Sequence, residues 1–72
     1  MSGRLARVTA DQIIKILEKK GFFLARQSGS HKIYKNQEGE RATVPYHKGK
    51  ILHLKVLKSI LNDANIDEEE IG

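Results

Sequence analysis

The sequence predicts a small α+β domain in the order α-β-β-β-α, with two helices on one face of a three-stranded antiparallel sheet. Apolar residues recur at helical spacing near both ends of the chain, and three short strand-like segments lie between them. The links between those segments are too short for crossover helices, which favours an antiparallel meander. With 72 residues, we expect one domain over 1–72, with a loose basic arm at 1–8 and an acidic tail at 67–72.

The first helix is predicted over residues 10–20. Thr9 and Gln12 have the spacing of a capping box, in which each side chain accepts from the other residue's backbone N–H. Gly21 then supplies the left-handed residue that ends a helix. The apolar stripe of this helix consists of Ile13, Ile14, Ile16 and Leu17.

Three strands are predicted over residues 22–27, 31–36 and 41–44. The first link between them is Ser-Gly-Ser, a turn sequence, and Pro45 stops the third strand because its ring removes a ladder donor. A domain this small needs aromatic residues in its core. We therefore expect the core to contain the two phenylalanines, Phe22 and Phe23. For Tyr34 two roles stay open, burial in the core and stacking against a base.

The second helix is predicted to begin at Leu54 and to end near Asn65. Its apolar residues are Leu54, Leu57, Ile60, Leu61 and Ala64. Its start lacks a good capping residue, since His53 is a poor N-cap. Residues 51–52 form either a fourth short strand or an extended link, and Asp67 could cap one further turn in the acidic tail.

The uncovered face of the sheet is the natural place for a binding site. Simple alternation puts His31 and Ile33 on one face and Lys32 and Tyr34 on the other. If Ile33 belongs to the core, His31 points inward. A bulge after Ser30, or a core formed by Tyr34 instead, would turn His31 outward, and the sequence does not choose between these arrangements.

The charge is unevenly distributed along the chain. Residues 1–25 carry a net charge of +3, residues 26–58 carry +6 and residues 59–72 carry −5, which together give +4. A basic body suggests a polyanionic partner, with nucleic acid the obvious candidate, while the bland alternative is a solvated surface.

Several functional classes are disfavoured by composition. The chain has no cysteine, so it has neither a disulfide nor a Cys-based zinc site, and it suits a reducing cytoplasm. It has no apolar run long enough for a membrane span and no signal-peptide core. The histidines His31, His47 and His53 have no usual metal-ligand spacing, so we expect neither a metal nor another cofactor.

Three short motifs resemble the HicA family of small toxins from toxin–antitoxin pairs. They are Gly-Ser-His at 29–31, Val-Pro-Tyr-His at 44–47 and Leu-Lys-Ser-Ile-Leu at 57–61, and the resemblance extends over nearly the whole chain, to Ile66. It implies a fold like that of double-stranded-RNA-binding domains and cleavage of mRNA without a metal. It also implies that His31 is essential and that a HicB-type antitoxin covers the site. One departure is that Lys55 and Val56 stand where the family usually has a Gly-Thr pair opening the second helix, so the cap is lost.

Imidazole chemistry fits the activity that the resemblance implies. The 2′-hydroxyl of RNA attacks the adjacent phosphate once a base removes its proton, and imidazole titrates close to working pH. The charge that develops on phosphorus needs cations or N–H donors nearby. We expect His31 to transfer the proton, His47 to be a solvated loop residue, a phosphate contact or a second proton-transfer group, and His53 to be a helix-entry residue. The expected RNA-binding residues are Gly29, Ser30, Lys32, Lys35, Arg41, His47, Lys48 and Lys50.

Three rival interpretations stay open. A non-catalytic RNA-binding module would share the fold and the charge. A domain that binds only protein would bind with little dependence on salt, whereas phosphate contacts give a steep dependence. The third is an inactive remnant of a toxin, given Lys55 and Val56.

Overall fold

The computed structural model describes residues 8–70 and confirms the α-β-β-β-α order. Helix α1 spans Ala10–Lys19 and helix α2 spans Leu54–Ala64, and a single 3-10 turn, Glu68–Glu70, follows. Strands β1 (Phe23–Ser28), β2 (His31–Lys35) and β3 (Arg41–Pro45) form an antiparallel sheet in the order β1-β2-β3. The predicted bounds are therefore correct to within one residue at every helix and strand end.

Helix α1 begins with the predicted capping box. The Thr9 backbone N–H donates to Gln12 Oε1 at 2.8 Å, and the Gln12 backbone N–H donates to Thr9 Oγ1 at 3.2 Å. These bonds satisfy two of the backbone donors that a helix start leaves unpaired. The helix buries Ala10, Ile13, Ile14 and Leu17, and Gly21 follows it at φ +94°.

The core lies on one side of the sheet, between the sheet and both helices. Tyr34 of β2 is only 3% exposed, and Ala42 and Val44 of β3 are also buried. Of the two arrangements that turn His31 outward, a core formed by Tyr34 is therefore the correct one, and Ile33 is half-buried on the opposite face. Phe22 joins the core, but the expectation was wrong for Phe23, which is 51% exposed.

Helix α2 is capped by the residue that was expected to be a poor cap. His53 has an extended backbone, and its Nδ1 accepts from the Lys55 backbone N–H at 3.2 Å. An imidazole nitrogen thus replaces the hydroxyl or carboxylate oxygen of an ordinary N-cap. The other end closes at Asn65, whose backbone is left-handed (φ 58°, ψ 44°).

The segment before α1 packs against the segment that leads into α2. The Leu52 backbone N–H donates to the Val8 carbonyl at 2.7 Å, and Thr9 forms an isolated antiparallel bridge with Ile51. Residues 51–52 are therefore an extended link and not a fourth strand of the sheet. Val8, the last residue of the arm expected at 1–8, is buried, and the other residues of that arm lie outside the described part of the chain. Within residues 8–70, neither helix has the length and hydropathy needed to cross a bilayer.

Candidate active site and nucleic-acid interface

The turn before β2 is a two-residue hairpin loop formed by Gly29 and Ser30. Gly29 has φ +58°, and Ser30 is not among the described residues with positive φ. A positive φ at the first central residue alone defines a type II′ turn, which favours glycine at that position. The Gly-Ser-His motif thus begins with a glycine that the backbone requires, and His31 is the first residue of the strand that leaves the turn.

This turn is tied to the end of β3 through Tyr46. The Tyr46 backbone N–H donates to the Ser30 carbonyl at 2.6 Å. The Lys32 ammonium lies 4.0 Å from the centroid of the Tyr46 ring, a cation–π contact. A hydrogen bond from the phenol to the Asp11 carboxylate, together with burial, raises the pKa of Tyr46. Helix α1, the turn and the end of β3 are therefore joined beside His31.

The face of the sheet turned away from the helices carries three rows of side chains, because directly paired residues share a face. We call them the turn row, the middle row and the far row. The turn row is Ser28, His31 and Pro45; the middle row is Arg26, Ile33 and Thr43; the far row is Phe23, Lys35 and Arg41. None of the three strands contains an aspartate or glutamate, so the side chains of this open face are neutral or basic.

His31 lies at the solvent-exposed end of the open face. Its side chain is exposed, and Ser28 is its direct partner on β1. On β3 its partner is Pro45, from which the loop of residues 46–50 departs. This arrangement meets the requirement for a proton-transfer group, which must reach its substrate from solvent.

The expected RNA-binding residues fall into four places. Gly29 and Ser30 form the turn next to His31, and His47, Lys48 and Lys50 are exposed in the loop that follows Pro45. Lys35 and Arg41 share the face of His31 but lie in the far row, about 13 Å away at 3.3 Å per strand residue. Lys32 lies on the helix side of the sheet against Tyr46, so the structure does not bring it to the face of His31.

Arg26 is a cation of this face that sequence reasoning missed. The register between β1 and β2 shifts between Leu24 and Arg26, so that Arg26 pairs with Ile33. Without this bulge, alternation from Phe23 would place Arg26 on the helix side. The bulge turns it to the middle row, one row from His31. Ser28, also missed, reaches the face through its pairing with His31.

The described residues contain no group of three or more His, Cys, Asp or Glu side chains placed to hold a metal ion.

A comparison with protein families identifies the chain. The model of the family described as the HicA toxin of bacterial toxin-antitoxin matches residues 10–66, from the start of α1 to just beyond α2. The chain belongs to the HicA toxin family. As a HicA toxin it is one member of a toxin–antitoxin pair, and an antitoxin is its expected partner. A search of curated proteins finds no match to the chain.

The departure of this HicA chain at Lys55 and Val56 leaves the second helix intact. Helix α2 begins at Leu54, and His53 satisfies the Lys55 backbone N–H. Lys55 is exposed in the first turn, while Val56 is half-buried and packs against the core. The helix start is thus capped by a different residue type, one position before the helix.

Proposed function

We propose that this HicA toxin is a metal-independent endoribonuclease that cleaves mRNA and that His31 is its proton-transfer residue. The observation that carries the proposal is the placement of His31, exposed beside a type II′ turn on a sheet face free of carboxylates. Family membership supports the toxin role, and the resemblance supplies the RNA-cleaving reaction that this geometry suits.

The reaction that fits this site is transfer through the 2′-oxygen of the substrate. His31 takes the proton of the 2′-hydroxyl, and the oxygen attacks the adjacent phosphorus. The bond from phosphorus to the 5′-oxygen breaks, and that oxygen takes a proton from His47 or from water. The products are a 2′,3′-cyclic phosphate and a 5′-hydroxyl, so the step needs neither an oxidant nor a water nucleophile.

Arg26 and the turn are suited to binding the phosphate in this reaction. A guanidinium donates two parallel hydrogen bonds to phosphate oxygens, and it stays charged throughout. It would therefore stabilise the negative charge that develops on phosphorus. The Ser28 and Ser30 hydroxyls flank His31 and can donate to the same phosphate, whereas Lys48 and Lys50 lie in the adjoining loop and extend the basic surface.

The antitoxin is proposed to be of the HicB type and to cover the open face in the resting cell. A protein that covers His31 and Arg26 would exclude RNA from both groups at once. Carboxylates on that partner would complement the three cations of the middle and far rows, namely Arg26, Lys35 and Arg41.

The decisive experiment compares His31→Ala with His53→Asn on a defined RNA in the presence of EDTA. We expect the wild type to produce 2′,3′-cyclic phosphate ends and His31→Ala to cleave about 10²–10⁴-fold more slowly. His53→Asn removes an exposed imidazole elsewhere and leaves a good N-cap on α2, so it should cleave at the wild-type rate. Cleavage by His31→Ala at the wild-type rate would overturn the assignment.

The basic open face also favours a second candidate, a non-catalytic RNA-binding module. Arg26, Lys35 and Arg41 would bind phosphates whether or not His31 reacts. RNA that is bound with a steep salt dependence but is recovered intact after long incubation would establish this candidate in place of the nuclease.

A further inference from the structure

Phe23 is an exposed aromatic residue on the open face of the sheet. It is 51% exposed and lies in the far row of the open face, while its neighbour Phe22 is in the core. Leu24 is nearly as exposed, at 46%, but pairs with Tyr34 and so lies on the helix side of the sheet. Phe23 and Leu24 are thus adjacent residues of similar exposure that lie on opposite faces of the sheet.

The rest of the far row places two like charges directly opposite one another. Lys35 of β2 pairs with Arg41 of β3. Like charges in directly paired positions destabilise a sheet, and an anion between them would remove the repulsion. The same two residues line a shallow depression together with Gly39, Thr43 and Asp63, the last at its α2 side.

We infer that the far row is a nucleotide-binding subsite for single-stranded RNA, with a base stacked on Phe23 and a phosphate held by Lys35 and Arg41. Aromatic side chains on exposed sheet faces stack unpaired bases, and neighbouring cations bind the backbone. A duplex would hide the faces of its bases, so the subsite selects single strands. This inference rests on RNA being the ligand, as proposed above.

The distance from the active site makes the far row a separate subsite. The far row lies four β2 residues from His31, about 13 Å at the rise of a strand. The nucleotide at Phe23 is therefore not the one whose 2′-hydroxyl reacts. Its role is to hold the strand across the sheet, with Arg26 of the middle row between the two subsites.

The test measures binding without cleavage. A short oligonucleotide with 2′-deoxyribose throughout cannot react through its 2′-oxygen, and 2-aminopurine within it reports base stacking by quenching of its fluorescence. We expect Phe23→Ala to bind about 5- to 150-fold more weakly and to lose the quenching. Phe23→Trp should keep both. Leu24→Ala is the matched control, because Leu24 is adjacent to Phe23 and similarly exposed but lies on the helix side of the sheet. This variant should bind the oligonucleotide as tightly as the wild type.

Oligonucleotide binding and fluorescence quenching by Phe23→Ala at the wild-type level would overturn the inference. If the same variant also binds the antitoxin more weakly, Phe23 is part of a protein interface instead. Because the oligonucleotide is uncleavable, failure of the nuclease proposal would leave these measurements unaffected. Conversely, normal RNA cleavage by the wild type together with unchanged oligonucleotide binding by Phe23→Ala would refute the subsite and leave the nuclease proposal standing.

Discussion

Substitutions at Gly29 test the turn on which the position of His31 depends. Alanine at φ +58° enters the left-handed region, at a cost of roughly 1–2 kcal/mol. The added methyl group meets no atom within 4 Å, so no steric clash contributes. Alanine also restricts the unfolded chain, which offsets about 0.4–1 kcal/mol. The net loss in the free energy of unfolding by Gly29→Ala is therefore about 1 kcal/mol.

Urea unfolding followed by circular dichroism measures this difference. For a domain of this size, with a slope near 1 kcal/mol per M, the midpoint for Gly29→Ala should fall by about 1 M. Gly29→Val should lose more than Gly29→Ala, because β-branched residues tolerate a positive φ least. If valine is tolerated as well as alanine, Gly29 does not have a positive φ and the turn has been wrongly described.

Three further predictions concern the core, the phenol of Tyr46 and the open face. Leu57→Ala, at a fully buried position, should lower the free energy of unfolding by about 2–5 kcal/mol in urea titrations, a large part of the total for so small a domain. Asp11→Asn should lower the pKa of Tyr46 towards its usual value of 10, as measured by phenolate absorbance at 295 nm. Because the folded-state pKa of Tyr46 is raised, the stability that this contact contributes is complete below pH 10 and is lost as the pH rises from there through the folded-state pKa. Arg26→Gln should reduce kcat/KM for RNA about 10- to 100-fold, whereas Lys15→Gln, which removes one positive charge from an exposed position of α1, should leave it unchanged.

Local chemistry made most of the fold predictable from the sequence. The capping box at Thr9 and Gln12 determines where α1 begins, and the Ser-Gly-Ser turn determines where β2 begins. Pro45 ends β3 as expected, one residue later than predicted. Such signals act within a few residues, so a single sequence suffices to recognise them. The cap at His53 was missed because an imidazole nitrogen is an uncommon N-cap acceptor.

The open face was less predictable because it depends on pairing between strands. Alternation within β2 could not decide whether Ile33 or Tyr34 enters the core, and the choice is made by packing against both helices. The bulge between Leu24 and Arg26 leaves no clear mark in the sequence, so Arg26 was missed. Phe23 was assigned to the core by residue type, but its pairing with Lys35 places it on the face of the sheet turned away from the helices.

The separation of the core from the open face has a consequence for how the gene can evolve. Tyr34, Ala42 and Val44 maintain the fold from one side of the sheet, whereas His31 and Arg26 occupy the other. Under the proposed function, a single codon change at His31 would abolish the activity of the toxin and leave the core side of the sheet unchanged. Inactive copies of this kind would keep the fold, because His31 is not a core residue.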